Sequence, residues 1–522
     1  MDSVRYTILL NAIRITASRT ALLLQSPNEH IQQEEDMQSD AEHILKSVFG
    51  YDSFRPLQKE VIQNVLAGRD TVAVMPTGGG KSLCYQIPAL LLPGLTVVVS
   101  PLISLMEDQV SQLNAAGVNA AFLNSSLDRD QYFSTVDRIK DGSLKLLYVS
   151  PEKLNTKTML DLLHSPGLTL SCLTIDEAHC ISEWGHNFRP DYLEIAHIRK
   201  QFPKTVCLAL TATATAQVRK DIVNILHLEE PAVLVSSFNR KNIFLEVKQK
   251  TDGETQVIDF LREHKDESGI IYCFSRKQVD TLYRLLSKKG FSVLPYHAGL
   301  TDEQRRKNQN AFSKGKVDIM VATLAFGMGI NKPDVRFILH YSIPKSIEQY
   351  YQEIGRAGRD GQNAHALLLF NPSDIHKIRY FFEESANATQ AEFLLQQMVS
   401  YAQSTQCRRK TLLAYFGEME FIQGESNCCC DICSLGLEKE RPTVSPAETS
   451  DQNLTKALKA WRRNLADELN IPPYVIFGDK TLADLSKRKP HSISQLCKCY
   501  GIGQVKAERF GSAILRIIND WS

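Results

Sequence analysis

The amino-acid sequence predicts an α/β protein with two tandem parallel-sheet domains, on the basis of two observations. Short apolar runs alternate with longer helical patterns, and such runs are typical of strands that are buried on both faces of a parallel sheet. These runs also fall into two series, which indicates two sheets. The first series is Thr71–Met75, Thr96–Ser100, Lys145–Val149, Cys172–Ile175 and Thr205–Leu210, and the second is Ile270–Phe274, Ser292–Pro295, Asp318–Val321, Phe337–His340 and Ala366–Phe370.

The rest of the chain divides into smaller parts. Its 522 residues are enough for about three or four domains of ordinary size. A polar, charged stretch at 229–265 separates the two series of strands, and leucines recur at helical spacing near the end of the chain. Such a stripe predicts the core face of a small all-α domain. The predicted parts are an extension at 1–38, sheet domains at 39–230 and 231–375, a small helical, cysteine-containing segment at 376–436, a linker at 437–451 and a helical domain at 452–522.

The composition excludes some classes of protein. Hydrophobic residues make up 43% of the chain, which excludes wholesale disorder. Lys+Arg number 60 and Asp+Glu number 59, so any basic surface for an anionic partner must be local. No apolar run approaches the roughly 20 residues of a membrane-spanning helix. Residues 1–28 have a composition that resembles an organelle presequence, but an unstructured extension is the predicted interpretation.

A glycine-rich loop follows the first predicted strand and precedes a helical run. It reads PTGGGKS at Pro76–Ser82. Glycines allow backbone N–H groups to approach phosphate oxygens, so the loop predicts a nucleotide site. Lys81 is expected to reach the β- and γ-phosphates of ATP, and Ser82 is expected to ligate Mg²⁺. The loop residues expected to bind the nucleotide are Thr77, Gly78, Gly79, Gly80, Lys81 and Ser82.

Two adjacent carboxylates follow the predicted strand at Cys172–Ile175. Asp176 is expected to hold Mg²⁺, mostly through water, because this ion keeps much of its hydration shell. Glu177 is expected to orient and deprotonate the attacking water. Acidic pairs usually lie on solvated faces, so the interpretation depends on the phosphate loop upstream.

Two arginines lie three residues apart in the second sheet domain, in the sequence QEIGRAGRDG at 352–361. Phosphoryl transfer builds negative charge on the γ-phosphate, and an arginine from a second domain can neutralise it. Arg359 is therefore expected to act as an arginine finger and Arg356 as a γ-phosphate sensor. A cluster of surface ion pairs is the structural alternative.

In this order the motifs resemble those of superfamily 2 helicases, and several of them narrow the resemblance to the RecQ family. The phosphate loop resembles the RecQ form because Met75 stands where the strict pattern has glycine. The resemblance covers most of 40–435 and again about 452–519. The stretches that carry it include Phe54–Gln58, Met75–Gln86, Ser100–Met106, Ala209–Ala214, Tyr296–Leu300 and Ala322–Asn331.

The resemblance implies a fold and several binding residues. Both sheet domains are expected to be RecA-like, and the last domain is expected to be an HRDC domain. Arg55 and Gln58 are expected to bind the nucleotide, with Gln58 reading adenine, and Ser100 is expected to contact DNA.

The segment Asp176–Asp191, DEAHCISEWGHNFRPD, is similar to the aromatic-rich loop of RecQ proteins. Aromatic and arginine side chains stack on unpaired bases, with roughly 1–3 kcal/mol per stack. Trp184, Phe188 and Arg189 are therefore expected to bind nucleic acid. Because the segment begins at the carboxylates, it can couple DNA binding to hydrolysis. An aromatic pair in the protein core is the structural alternative.

The cysteines near the end of the second half resemble the RecQ zinc segment. Zn²⁺ prefers four tetrahedral ligands, and a Cys-x-x-Cys pair supplies two of them. Cys407, Cys430 and Cys433 are three expected ligands. The fourth is Cys428 or Cys429, and Cys428 is the predicted one. Reduced thiols without a metal are the alternative.

One part of longer RecQ proteins has no counterpart. Their winged-helix domain lies between the zinc segment and the HRDC domain, where this chain has only Ser434–Asp451. A stretch of that length is too short for a domain. The chain is therefore expected to be a short form without the winged helix.

The resemblance implies an ATP-dependent DNA helicase that moves 3′-to-5′ on single-stranded DNA in recombination, repair and replication-fork maintenance. The expected cofactors are ATP, Mg²⁺ and Zn²⁺, with ATP bound between the two sheet domains. The expected partners are single-stranded and branched DNA, single-strand-binding proteins and recombination proteins. A monomer without membrane attachment, in the cytoplasm of a bacterium and associated with the nucleoid, is expected.

Three alternatives remain open from the sequence. One is a single-stranded DNA translocase without strong unwinding, and another is an RNA helicase that shares the motor motifs. The third is a non-catalytic scaffold, against which the intact Lys81, Glu177 and Arg359 argue.

Overall fold

The computed structural model describes residues 38–124, 127–185, 188–324, 326, 332–380, 388–419, 429–434, 452–469 and 471–521. These residues form two compact units. The first contains the chain up to Ser236 together with Gly503–Val505, and the second contains Ser237–Ile502 and Lys506–Ser522. Within the described residues, no helix combines the length and the apolar character needed to cross a bilayer.

A seven-stranded parallel sheet forms the centre of the first unit, in the order β3-β4-β2-β5-β6-β1-β7. The central strands are buried along their whole length, as expected of a parallel sheet covered on both faces. The strands are β1 Thr71–Val74, β2 Leu95–Val99, β3 Ala120–Leu123, β4 Leu146–Val149, β5 Leu170–Ile175, β6 Val206–Thr211 and β7 Ala232–Val235.

Helices alternate with these strands. A helical stretch at 38–47 precedes the first of them. The helices are α1 Gln58–Leu66, α2 Leu83–Leu91, α3 Ile103–Ala115, α4 Arg129–Lys140, α5 Pro151–Leu154, α6 Lys157–Leu163, α7 Ile195–Gln201 and α8 Ala216–Ile225, with 3₁₀ turns at Ala178–Ile181 and Pro190–Tyr192.

The second unit contains a six-stranded parallel sheet in the order β10-β11-β9-β12-β13-β8. Its strands are β8 Ile243–Gln249, β9 Gly269–Tyr272, β10 Val293–Tyr296, β11 Ile319–Ala322, β12 Phe337–His340 and β13 Ala364–Phe370. Its helices up to the cysteine segment are α9 Gly253–Glu263, α10 Arg276–Lys288, α11 Asp302–Ser313, α12 Ile347–Ile354, α13 Ser373–Tyr380, α14 Ala388–Gln403, α15 Arg408–Tyr415 and α16 Asp431–Ser434.

The C-terminal region is all-α, as predicted. Its helices share one apolar core, in which Leu454 and Leu458 are fully buried and Trp461 and Leu465 are packed against its edge. Leu469 leaves the predicted stripe, with 38% of its surface exposed. The helices are α17 Gln452–Glu468, α18 Pro473–Ile476, α19 Asp479–Arg488, α20 Ile493–Leu496 and α21 Gln504–Asp520.

The α/β prediction with two parallel sheets and a helical C-terminal region is confirmed, and all ten predicted strands are present. Three further strands escaped prediction. β3 is rich in alanine, which has a low strand propensity. β7 and β8 are half-exposed edge strands within the charged stretch at 229–265. As a result, the first sheet takes β7 from beyond the boundary predicted at residue 230.

Candidate active site

The glycine-rich loop connects β1 to α2 and has a backbone that needs glycine. Gly78 and Gly80 have φ angles of 81° and 82°, in the left-handed region that favours glycine. A Cβ on Gly79 would lie 2.9 Å from the Pro76 carbonyl oxygen. The N-terminus of α2 follows directly, so the loop and the helix present backbone N–H groups to the same place.

Three side chains bind the carbonyls of this loop. The Lys81 ammonium donates to the Met75 carbonyl at 3.1 Å, and the Gln58 amide donates to the Gly80 carbonyl at 2.9 Å. The Arg55 guanidinium donates to the Gly78 carbonyl. Arg55 and Gln58 therefore lie at the predicted nucleotide site, where they hold the loop. The adenine-reading role of Gln58 stays a prediction.

The two carboxylates follow β5, as predicted. The Asp176 backbone N–H donates to the Val99 carbonyl at 2.9 Å, and the Tyr192 hydroxyl donates to the Asp176 carbonyl at 2.9 Å. Burial raises the pKa of the Asp176 carboxyl to about 7, the Glu177 charge adds to this rise, and the Lys81 charge opposes it. Lys81 and Asp176 thus belong to one site, at which a divalent cation would favour the ionised carboxylate.

His179 and Thr211 join this site, although the sequence reasoning did not single them out. The His179 Nδ1 atom lies 3.3 Å from a Glu177 carboxylate oxygen and 2.9 Å from the Thr211 hydroxyl. His179 is buried. It therefore links the carboxylate to the end of β6. Two features of the sequence could have marked these residues: the DEAH stretch that contains His179, and the threonine-rich run that begins at Thr211.

The aromatic side chains of the segment Asp176–Asp191 follow the 3₁₀ turn that carries His179. Trp184 has 53% of its surface exposed, and Phe188 is partly buried. Arg189 approaches the Pro101 carbonyl at 3.4 Å and donates its backbone N–H to the Cys180 carbonyl at 2.9 Å. The core alternative therefore fails for Trp184, whose ring is available to a ligand.

Ser100 lies at the carboxyl end of β2 and is 1% exposed. Its backbone N–H donates to the Val149 carbonyl at 3.0 Å, and its buried hydroxyl has no hydrogen-bond partner among the described residues. The DNA contact expected of Ser100 stays a prediction, and it would require the side chain to become accessible.

The two arginines of the second unit follow α12 on a tight turn. Burial lowers the pKa of the Arg359 guanidinium to about 9, and the positive charges of Arg356 and Arg240 contribute to this shift. Arg240 donates to the Gly355, Ala357 and Gly358 carbonyls at 3.1, 2.9 and 3.1 Å. The turn is therefore a partly buried cationic cluster that favours an anionic ligand. Arg240, 115 residues or more from its acceptors, was missed because no local motif marks it.

Four cysteines of the second unit meet at one point: Cys407, Cys429, Cys430 and Cys433. The sulfur–sulfur distances are 3.5 Å for Cys407–Cys429, 3.5 Å for Cys430–Cys433, 3.8 Å for Cys429–Cys433 and 3.9 Å for Cys407–Cys430. A tetrahedral Zn²⁺ with Zn–S bonds of about 2.3 Å separates its sulfurs by about 3.8 Å. The donor set and spacing therefore fit zinc.

The fourth thiol of this cluster is Cys429. The predicted fourth ligand, Cys428, lies outside the described residues. The pKa of Cys407 is lowered well below its ordinary value because the Cys429 and Cys430 thiols donate hydrogen bonds to its sulfur. A thiolate is the form that binds zinc.

Two arginines of α15 attach the cysteine cluster to the second sheet. Arg408 pairs with Asp431 at 3.1 Å. Arg409 donates to the Arg240 and Ile243 carbonyls, each at 2.6 Å. Both guanidinium groups are buried. They connect the segment to β8 and to the loop before it.

Known families and proteins match the chain in the same order. The DEAD/DEAH box helicase model matches residues 55–222, and the helicase conserved C-terminal domain matches 253–361. The RecQ zinc-binding model matches 372–434, and the HRDC domain matches 451–518. Only residues 435–450 separate the last two matches, a stretch too short for a winged-helix domain.

Individual proteins give the same result. The ATP-dependent DNA helicase RecQ of Pasteurella multocida is 36% identical and covers 91% of this chain and 93% of its own length. The Bacillus subtilis protein of the same name is 33% identical and covers 92% of this chain and 99% of its own length. The Mycobacterium smegmatis helicase Lhr, in a structure with ssDNA and AMP-PNP, has a TM-score of 0.52 at 17% identity, over 67% of this chain and 50% of that chain. This last likeness concerns the fold alone.

The phosphate loop, the acid pair and the two sheets define a nucleoside-triphosphate-dependent helicase with two RecA-like domains. With its zinc-binding segment and HRDC domain, the chain belongs to the RecQ family of ATP-dependent DNA helicases. The RecQ resemblance drawn from the sequence is thereby confirmed.

Proposed function

We propose that the chain hydrolyses ATP to move 3′-to-5′ along single-stranded DNA and to unwind the duplex ahead. The observation that carries this proposal is the exposed Trp184, which lies on the same short segment as Glu177. A base stacked on this ring is held within a few residues of the carboxylate that acts on water. DNA binding and hydrolysis can then be coupled directly.

The residues of the first unit divide the chemistry among them. Lys81 and the loop residues Thr77–Gly80 bind the phosphates, and Arg55 and Gln58 set the position of the loop. Ser82 and Asp176 would hold Mg²⁺, which supplies charge neutralisation at the phosphates. Glu177 accepts a proton from the attacking water.

The second unit supplies positive charge. As the γ-phosphoryl group leaves, Arg359 stabilises the developing charge and Arg356 senses the γ-phosphate. The partial burial of Arg359 supports this assignment, because a guanidinium shielded from water interacts more strongly with an anion.

Unwinding assays on forked duplexes, overhangs and four-way junctions test the proposal, with ATP hydrolysis measured on the same strands. A helicase separates the forks with an ATP requirement. Hydrolysis that DNA stimulates without strand separation would instead indicate a translocase. The short stretch 435–450 favours that alternative, because it leaves no room for a winged-helix domain. Equal stimulation by RNA and DNA strands would contradict the DNA assignment.

The surroundings of the protein belong to the same proposal. We infer that it acts in recombination, repair and replication-fork maintenance, as a monomer in a bacterial cytoplasm near the nucleoid. Single-strand-binding and recombination proteins are the expected partners. The curated relatives named above, both bacterial DNA helicases, support this inference.

A further inference from the structure

The turn that carries Trp184 is built on one buried hydroxyl. Ser182 is 0% exposed. Its Oγ atom accepts a hydrogen bond from the Trp184 backbone N–H at 3.1 Å. The Gly185 N–H donates to the Ser182 carbonyl at 2.9 Å, and a Cβ on Gly185 would lie 2.2 Å from the His179 carbonyl oxygen. The turn is therefore compact, and its geometry depends on Ser182.

The same hydroxyl attaches the turn to a helix. The Ser182 hydroxyl donates to one carboxylate oxygen of Asp221 at 2.5 Å. Asp221 lies on α8, and its other oxygen accepts from the Gln217 amide at 2.8 Å. A hydrogen bond to a carboxylate is shorter and stronger than one between neutral groups. This bond ties the Trp184 turn to α8 by a side-chain charge.

The segment that leads from β6 into α8 contacts His179, which lies against the catalytic carboxylate. Thr215 is the N-cap residue of α8, and its side chain accepts from the Val218 N–H. Four residues earlier, Thr211 contacts His179, which in turn contacts Glu177. The segment from Thr211 to Asp221 therefore contacts the acid through His179 at one end and contacts the aromatic turn at the other.

We propose that Asp221 is a positioning residue that, through Ser182, fixes the Trp184 turn relative to Glu177 and so transmits the binding of a DNA base to ATP hydrolysis. This inference rests on the proposed function, in which Trp184 receives the base. Asp221 touches neither nucleotide nor DNA in this account. Asp221 acts by holding the Trp184 turn. When a base displaces the Trp184 ring, the held turn passes the movement on to Glu177.

Four variants test the proposal in the full-length protein. Asp221→Ala removes the carboxylate, and Ser182→Ala removes the hydroxyl that binds it. Asp221→Asn is the conservative change, because its amide oxygen still accepts from Ser182. Gln217→Ala is the matched control, because Gln217 binds the same carboxylate without touching the turn.

The readouts are kcat and KM for ATP, without DNA and with saturating oligothymidylate. Asp221→Ala and Ser182→Ala are expected to keep the DNA-free kcat and the KM for ATP within about twofold, while the DNA-stimulated kcat falls by about tenfold or more. Asp221→Asn and Gln217→Ala are expected to keep most of the stimulation. The double variant should be no worse than Ser182→Ala, because that change already removes the bond to Asp221 together with the bond to the Trp184 N–H.

Two results would overturn the proposal. One is full stimulation in both Asp221→Ala and Ser182→Ala. The other is an equal loss of basal and stimulated turnover in both, which would indicate a purely structural role. If Asp221→Ala does not fold, Ser182→Ala decides the question by the same criteria, and Asp221→Asn remains the variant that should keep its stimulation. Trp184→Ala, measured in parallel, separates the proposed function from the role of Asp221. Full DNA stimulation in Trp184→Ala contradicts the proposed function itself. Loss of stimulation in Trp184→Ala, with full stimulation in the Asp221 variants, contradicts only the role of Asp221.

Discussion

Glu177 combines the expected catalytic role with a strained backbone. Its φ and ψ angles of 50° and 44° place a non-glycine residue in the left-handed region, which costs on the order of 1–3 kcal/mol. The Cys180 N–H donates to the Glu177 carbonyl at 2.9 Å, and the buried His179 ring lies against its carboxylate. These contacts hold the carboxylate in place. Strain of this kind is typical of residues that are positioned before the reaction begins.

Replacing Glu177 with glutamine should separate ATP binding from hydrolysis. The amide keeps the shape of the side chain but does not accept the proton of water, so kcat should fall by about 100-fold or more. Binding of a fluorescent ATP analogue should change little. Phosphate release and analogue titration measure the two quantities, and Glu194→Gln on the exposed surface is the control. Wild-type phosphate release from Glu177→Gln would show that the assigned role is wrong.

Arg359→Ala tests the cationic cluster of the second unit. Loss of the guanidinium removes charge stabilisation in the transition state, so kcat should fall by about 1,000-fold with a small change in nucleotide affinity. Arg379→Ala is the matched control, because Arg379 forms a half-exposed pair with Glu392. If Arg359→Ala and Arg379→Ala behave alike in a phosphate-release assay, the turn is structural.

At the scale of elements, the zinc segment protects an open sheet edge. β8 is the last strand of the second sheet, and an unpaired edge tends to associate with other chains. Cys430 forms a parallel bridge with Leu245, and the Leu245 N–H donates to the Cys429 carbonyl at 3.3 Å. The Asp431 carboxylate accepts from the Val247 N–H at 3.2 Å. Metal binding and sheet stability are therefore connected.

Cys429→Ser should lose zinc, whereas Cys428→Ser should keep it. The cluster joins the Cys429 sulfur to three other thiols, and removal of one ligand from a structural site destabilises the fold around it. Zinc content by atomic absorption and the midpoint of thermal unfolding measure both effects. Zinc loss in Cys428→Ser alone would restore the ligand predicted from the sequence.

Elements with local signals could be predicted from the sequence. The phosphate loop and the acid pair are contiguous motifs at strand ends, and the buried strands are short apolar runs. β8 was missed because it carries the charged residues Glu246 and Lys248 among its apolar ones. Arg240, Thr211 and Asp221 were missed because their partners are tens of residues away in the chain. Contacts of that kind are decided by packing, which no local spacing reveals.

On the scale of the whole molecule, one chain combines a nucleotide site, a cationic turn and an exposed aromatic ring. The order of the motifs allowed the RecQ family to be recognised from the sequence. The fourth zinc ligand could not be identified from the sequence in the same way, because Cys428 and Cys429 are adjacent and have nearly equal spacing from Cys430. The account of coupling depends on the short distance along the chain between Glu177 and Trp184.

The most direct test of that coupling is the ATP turnover of a Trp184→Ala, Phe188→Ala protein with and without oligothymidylate. The account predicts that turnover without DNA stays within about twofold of wild type. It also predicts that the DNA-stimulated rate drops by about tenfold or more, because up to two base stacks of roughly 1–3 kcal/mol each are lost. Turnover that still rises to the wild-type level on addition of DNA would contradict it.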